Sequence, residues 1–437
     1  MSAIVDGPPR PLRPQLAALR ICGSAMVALG VFLSGFVISE PAPYELVMAA
    51  QIPLWFLLGL KISRTVAPLL ILLLLFNIGG MFSLTVMQDM SGGPMYVAVS
   101  LFLALSAVFY AAIVEDDHKR LSLIFQAWVA AAVITSILGI IGYFHALPGF
   151  EVFTLYDRAK GAFQDPNVFG PYLVPPALYL IWRLLTGRAA GAPLAIAGLL
   201  VLSLGVLLSF SRAAWALFAF SAIAIVAIML LKERTGAFRL KILSLSIAAI
   251  LVMTLGLAAA MQSKKVHDLF ESRAKLVQDY DGARLGRFER HKMGFLMSME
   301  HPLGLGPMVL GKMFGEDEHN IWLKSLTTYG WLGFVCYIVL IWWTLIIGFR
   351  SLLRNRPWQP YLMIAWVMLA GHALIGNVID IDHWRHVYLL FGIIWGCAAL
   401  ERRYQSDLRR LRIADREKGL ERAAPEGTAA ARPLLDC

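Results

Sequence analysis

The sequence predicts an all-α polytopic membrane protein with about twelve transmembrane helices and one long extracytoplasmic loop. Three observations carry this. Hydrophobic residues make up 58% of the chain and charged residues only 16%, where a soluble globule carries about a quarter charged. Mean hydropathy is +0.67. The apolar residues come in blocks such as Val66–Met87 and Ala213–Leu231, which leave no wet face. A hydrocarbon core of ~30 Å needs ~20 apolar residues of helix, and these blocks have that length.

The elements follow in order. Residues 1–20 are a Pro/Arg-rich leader, expected to be cytoplasmic. The apolar block behind it lacks a small-residue cleavage site, so it reads as a retained first helix and not as a signal peptide. Spans are expected at 21–39, 44–60, 66–87, 94–114, 121–142, 167–186, 191–209, 213–231, 240–261, 321–348, 361–379 and 385–400, a bundle over 21–400. The extracytoplasmic loop is 262–320. Within it, Arg284–Met299 places Leu285, Phe288, Phe295, Leu296 and Met299 at helical spacing, with Arg287, Arg290 and His291 on the remaining faces. That pattern predicts an amphipathic helix lying on the membrane or capping the bundle. His301-Pro302 and the glycines at 304, 306 and 311 end it. The tail 401–437 is charged, then Ala/Pro-rich, and is expected to be cytoplasmic and partly disordered. Cys22, Cys336 and Cys397 fall in apolar segments and Cys437 stands last, so no disulfide framework or zinc spacing is present.

Charge distribution sets the orientation. The net charge of +10 does not indicate nucleic acid, because the basic residues sit in short loops and in the tail. With twelve spans, 25 Lys and Arg fall on the side of the termini. On the other side nine lie in the long loop, and only Arg158, Lys160, Arg212, Lys324 and Arg385 sit in or beside short loops. Both termini are therefore expected in the cytoplasm. The few outer cations need a reason, since an ionisable group near hydrocarbon costs several kcal/mol.

Three groups could carry chemistry. Arg158-Ala-Lys160-Gly161 runs into Asp165-Pro166-Asn167, turn chemistry that opens a helix whose free N–H groups can hold an anion. The plain alternative is an ordinary capped loop. Ser209-Phe-Ser211-Arg212 occupies a tight outer connection, where a guanidinium suits a phosphate or diphosphate; the alternative is a snorkelling arginine. His319-Asn320 precedes the tenth span, with Gly330 and Gly333 further along it. An imidazole there could take a proton from a sugar hydroxyl, or could simply cap the helix. Asp380-Ile-Asp382 before the last span reads as helix capping more readily than as a metal pair. His291 and His301 lack metal-ligand spacing, and Glu316-Asp317-Glu318 reads as a solvated acidic run. No P-loop, dinucleotide fingerprint, GxSxG or HExxH occurs.

Together these residues resemble the O-antigen ligase/polymerase family, which holds lipopolysaccharide O-antigen ligases, Wzy-type polymerases and exopolysaccharide polymerases. The resemblance rests on Arg158–Gly170, on Ser209–Arg212, and on the run from Arg284 through His301-Pro302-Leu-Gly304-Leu-Gly306 to His319-Asn320 and Gly330-x-x-Gly333. Asp380–Arg385 is similar to the exopolysaccharide branch. The resemblance implies a GT-C-like fold in the bacterial inner membrane, active on its periplasmic face without metal or other cofactor. It implies an undecaprenyl-diphosphate-linked glycan as substrate, membrane lipids as surroundings, and flippase and chain-length or export proteins as partners, with no nucleic acid. Carried onto this chain, Arg212, Arg284, Arg158 and Lys160 would hold the diphosphate. His319 would be the base that activates or positions the acceptor. Arg287, Asn167, Asn320 and Arg385 stand as supporting candidates.

Two other classes compete. A transporter or flippase would place ionisable residues deep in the bundle and break helices in both halves. A scaffold in an export assembly would leave the outer cations dispensable. The crowding of polar residues at one face favours a surface-facing reaction.

Overall fold

The structure is a computed structural model that describes residues 14–233, 235–260, 262 and 286–423. Among these, fourteen α-helices follow one another: α1 (Pro14–Leu33), α2 (Pro43–Leu57), α3 (Ala67–Leu84), α4 (Gly93–Asp116), α5 (Arg120–Tyr143), α6 (Pro166–Thr186), α7 (Ala192–Leu208), α8 (Arg212–Lys232), α9 (Gly236–Ala260), α10 (Arg287–Glu300), α11 (Val309–Phe314), α12 (Ile321–Phe349), α13 (Gln359–Ile375) and α14 (Arg385–Ala423). A two-stranded hairpin, β1 (Thr154–Leu155) and β2 (Arg158–Ala159), sits between α5 and α6. All but α10 and α11 lie over the twelve apolar segments of the sequence. Seven helical stretches are long and apolar enough to cross a membrane, and Arg20–Leu33 and Gln359–Ile375 are shorter apolar helices. The protein is an all-α membrane protein.

The helices start where the sequence supplies starts. Pro43, Pro68, Pro94, Pro166, Pro193 and Pro360 occupy the first turns of six of them, where a missing N–H costs nothing. Their outer faces are apolar and bare: Leu57, Leu194 and Ile223 are 85%, 82% and 71% exposed. An apolar belt on that scale needs lipid against it.

Inside the bundle, where lipid is as apolar as leucine, close packing holds helices together. α14 lies along α4 through Gly392 and Gly396, four residues apart. A Cβ on either would overlap the backbone or side chains of Ala107, Tyr110, Ala111 and Val114. α3 lies along α12 in the same way, with Gly79 against the backbone of Tyr329 and Gly333.

In one respect the structure departs from the sequence expectation. α12 is not a continuous helix through Gly330, which has φ 65° and ψ −172°. The break frees backbone groups that hydrocarbon would leave unsatisfied, and irregular backbone survives at that depth only when protein covers it. The segment His301–Gly306 covers it. The Thr327 carbonyl accepts from Leu305 N–H (2.7 Å) and Gly306 N–H (3.2 Å), and Trp331 N–H donates to the Pro302 carbonyl (2.9 Å). Gly304, at φ 88°, has its Cα face against Gly330. The two glycine motifs are thus halves of one joint.

Within the described residues, α10 covers the predicted loop segment from Arg287 onward and packs on this joint. The Trp331 indole donates to the Ser298 carbonyl (2.8 Å), Arg290 pairs with Glu316 (2.6 Å), and His291 Nε2 donates to the Glu318 carbonyl (2.5 Å).

Candidate functional site

The connections that precede α2, α4, α6, α8, α12 and α14 gather at one end of the bundle, and hydrogen bonds tie them. Val37 N–H donates to the Ala162 carbonyl (2.6 Å), Arg158 reaches Ser209, Tyr96 reaches Asp382, and Asn320 reaches Asp380. Every described candidate residue stands at this end.

Arg158 is placed by the hairpin. Thr154 pairs with Ala159 and Leu155 with Arg158, leaving Tyr156 and Asp157 as a two-residue turn with φ 54° and 55°. Positive φ at both positions matches the twist of the flanking strands. Arg158 follows that turn and is buried, 6% exposed. Its Nε donates to the Ser209 carbonyl and its Nη2 to Asn167 Oδ1, both at 2.7 Å. The Ser209 carbonyl lies just past the end of α7, where helix carbonyls lack partners. Asn167 is in the first turn of α6, capped by Asp165 (2.6 Å). Ser211 caps α8, whose first residue is Arg212. Gly170 permits the two helices to approach, because a Cβ there would meet Ala214 and Ser209 side chains. Two long helices therefore start side by side, with Arg158 between them and Arg212 in the first turn of one. The positive ends of the two helix dipoles and the two guanidiniums suit a phosphate-bearing ligand. Lys160 is half-buried two residues beyond Arg158, with its backbone N–H bonded to the Phe153 carbonyl (3.0 Å).

His319 and Asn320 belong to a second group. Asn320 Oδ1 caps α12, accepting from Trp322 and Leu323 N–H at 3.0 Å each. His319 has φ 48°, a left-handed conformation rare outside glycine. Asp380 holds it there: its carboxylate accepts from Asn320 N–H (2.9 Å), His319 N–H (3.3 Å) and the Lys324 ammonium (3.2 Å). Lys324 is 4% exposed and also lies 3.7 Å from Asp317 and 3.9 Å from Glu318. Next to it, Asp382 accepts from the Tyr96 (2.6 Å) and Tyr329 (3.2 Å) hydroxyls. Four carboxylates thus surround one ammonium.

Their titration divides. Burial pushes Glu318 and Asp380 above the usual carboxylate range, with Lys324 opposing. Burial also pushes Asp382 upward, but Lys324, His383 and the two tyrosine hydroxyls outweigh it and hold it low. The group can keep one carboxylate charged while a neighbour takes up a proton.

Arg385 is committed elsewhere at this end, to Glu45 (2.5 Å) and Glu40 (3.1 Å), so it braces the α1–α2 connection. Arg284 lies outside the described residues. Arg287 is the first residue of α10, and its side chain is not among those described. Sequence reasoning treated Lys324 only as a topology cation and Asp380 and Asp382 as caps. The signal was present, since Lys324 was one of the five outer cations in need of a reason.

The stretch containing the tight Ser209–Arg212 turn, the α12 joint and the His319-Asn320 cap can be compared with known families. Residues 197–338 match the family model described as O-antigen ligase. The resemblance read from the sequence stands on that match. No curated protein matches the chain. The matched region carries Arg212, His319, Asn320 and both halves of the glycine joint, while Arg158 and Asp380 come to it from either side. The match likens this stretch to O-antigen ligases and supports glycan transfer in O-antigen or polysaccharide assembly.

Proposed function

We propose that the protein transfers an undecaprenyl-diphosphate-linked glycan to a sugar acceptor at the periplasmic face of the bacterial inner membrane, as a polymerase of exopolysaccharide or O-antigen repeat units. The reading includes a GT-C-like bundle of twelve spans with both termini cytoplasmic, and no metal in the reaction. One observation carries it: two helix N-termini meet around buried Arg158 and adjacent Arg212, at the same bundle end as His319. In the step, the acceptor hydroxyl oxygen bonds to the anomeric carbon as the bond to the diphosphate oxygen breaks. The electron pair leaves with the diphosphate and the hydroxyl proton goes to His319. Arg158 and Arg212, with Lys160 and Arg284, stabilise the departing charge, because fixed cations in a water-poor cleft need no reorganisation. Asp380 and Lys324 hold the backbone that carries the imidazole. A ligase that attaches glycan to lipid A-core is the second reading, favoured by the description of the matched family.

The test is complementation of a deletion strain. His319→Ala, Arg212→Ala and Arg158→Ala should each abolish product while the protein remains in the membrane; wild-type product in all three would overturn the assignment. Chain length separates the readings. Short lipid-linked repeats in the deletion strain indicate a lost polymerase, and intact long chains indicate a lost ligase.

A further inference from the structure

At the opposite end of the bundle, α1, the α4–α5 turn, the start of α13 and α14 enclose a partly open cavity of about 300 Å³. It takes no part in the chemistry above. Cations from three separate elements line it: Arg20 on α1, Lys119 and Arg120 at the turn, and Arg403 on α14. Of the acids in the lining, Asp116 pairs with Arg120 (2.7 Å), an Asp117 oxygen accepts the Lys119 backbone N–H (2.9 Å), and Asp407 is exposed on α14, so four cations stand with three carboxylates. Trp358 and Tyr404 form an aromatic corner, ring centroids 6.4 Å apart. The Trp358 side chain is 2% exposed, and its indole N–H has no acceptor, a state that a buried donor rarely keeps. Beyond the cavity α14 continues with exposed Arg409, Arg410 and Arg412, interleaved with exposed Leu411 and Ile413.

We propose that this cavity binds the phosphate headgroup of an anionic phospholipid. The cations supply charge, Trp358 and Tyr404 are the amphipathic aromatics that sit at headgroup level, and a basic stretch continuing from a spanning helix adds attraction to an anionic leaflet. A free inorganic anion would share the phosphate chemistry, but it would have no use for the apolar residues alternating with arginine along α14. In the orientation proposed above, this is the cytoplasmic leaflet; the lipid chemistry itself does not depend on that orientation.

The full-length protein, purified and delipidated in neutral detergent, is titrated with phosphatidylglycerol or phosphatidylcholine in mixed micelles, and retained lipid is counted by native mass spectrometry. Phosphatidylglycerol should be retained in preference to phosphatidylcholine. The double charge reversal Lys119→Glu/Arg403→Glu should weaken that retention about tenfold or more, each basic residue contributing separately. Trp358→Phe keeps an aromatic ring while removing the indole donor, and should weaken it in the same direction. Equal retention of the two lipids, or wild-type retention in both variants, would overturn the proposal. So would saturation by millimolar inorganic phosphate with no lipid preference, which would make this a free-anion site.

Discussion

Asp380 accepts hydrogen bonds from both backbone N–H groups of His319-Asn320 while lying 3.2 Å from the Lys324 ammonium. Burial raises its proton affinity, and the sign of the consequence is fixed by linkage. A group whose folded pKa is raised contributes stability below its unfolded pKa and loses it as pH rises through the folded value, whereas Asp382, held low, contributes above its unfolded pKa and loses it on acidification. Acidification from neutral pH therefore protonates Asp380 before an ordinary carboxylate. That neutralises the charge facing Lys324 while Asp382 stays ionised. The acid limb of glycan transfer should accordingly lie above the ordinary carboxylate range. Asp380→Asn, whose single amide oxygen can still accept the shorter bond from Asn320 N–H, should remove that limb; a pH–rate profile in proteoliposomes showing the same limb in the variant would refute this role. At this scale the sequence was informative about His319, Asn320, Arg158 and Asn167, because turn and capping residues announce themselves locally. It was silent on the Asp380 clamp, since the partners stand some sixty residues apart.

For the elements, apolar blocks were enough to place twelve helices, because each block satisfies its own backbone. The break in α12 was not legible. A glycine in an apolar helix costs only ~1 kcal/mol, so Gly330 reads as tolerable within a continuous helix, and the break exists because His301–Gly306 supplies the lost hydrogen bonds. Gly330→Ala should be damaging: φ 65° disfavours a side chain, and a Cβ would overlap the carbonyls of Pro302 and Leu303. A cost of about 1–3 kcal/mol is expected for the strained backbone, seen as a lower unfolding temperature in detergent. Gly333→Ala, with its Cβ against Tyr329 and the α3 backbone, should act through helix separation instead. An unchanged unfolding temperature for Gly330→Ala would mean that the joint is not rigid.

Across the whole molecule, Lys324 joins the end of the long loop, α12 and the α13–α14 connection through Asp317, Glu318 and Asp380. Lys324→Met removes the only ammonium in that described group and leaves buried carboxylates unpaired, a loss of about 3–5 kcal/mol by analogy with broken buried pairs. Adding Asp380→Asn should recover part of it, since the neutral amide no longer needs a counter-charge. A double-mutant cycle on unfolding stability with no coupling between the two positions would show that the cation is not the keystone.

By itself the sequence determined that this chain is a helical membrane protein, where its helices begin, and which outer cations and histidine to suspect. Those properties follow from composition, short-range periodicity and capping, which act within a few residues. Only the tertiary structure decided that Arg158 joins the starts of α6 and α8, that Arg385 is spoken for by Glu40 and Glu45, and that Lys324 and Asp380 stand behind His319. Such pairings depend on which helix ends are brought together, and close glycine contacts between helices distant in the chain set that.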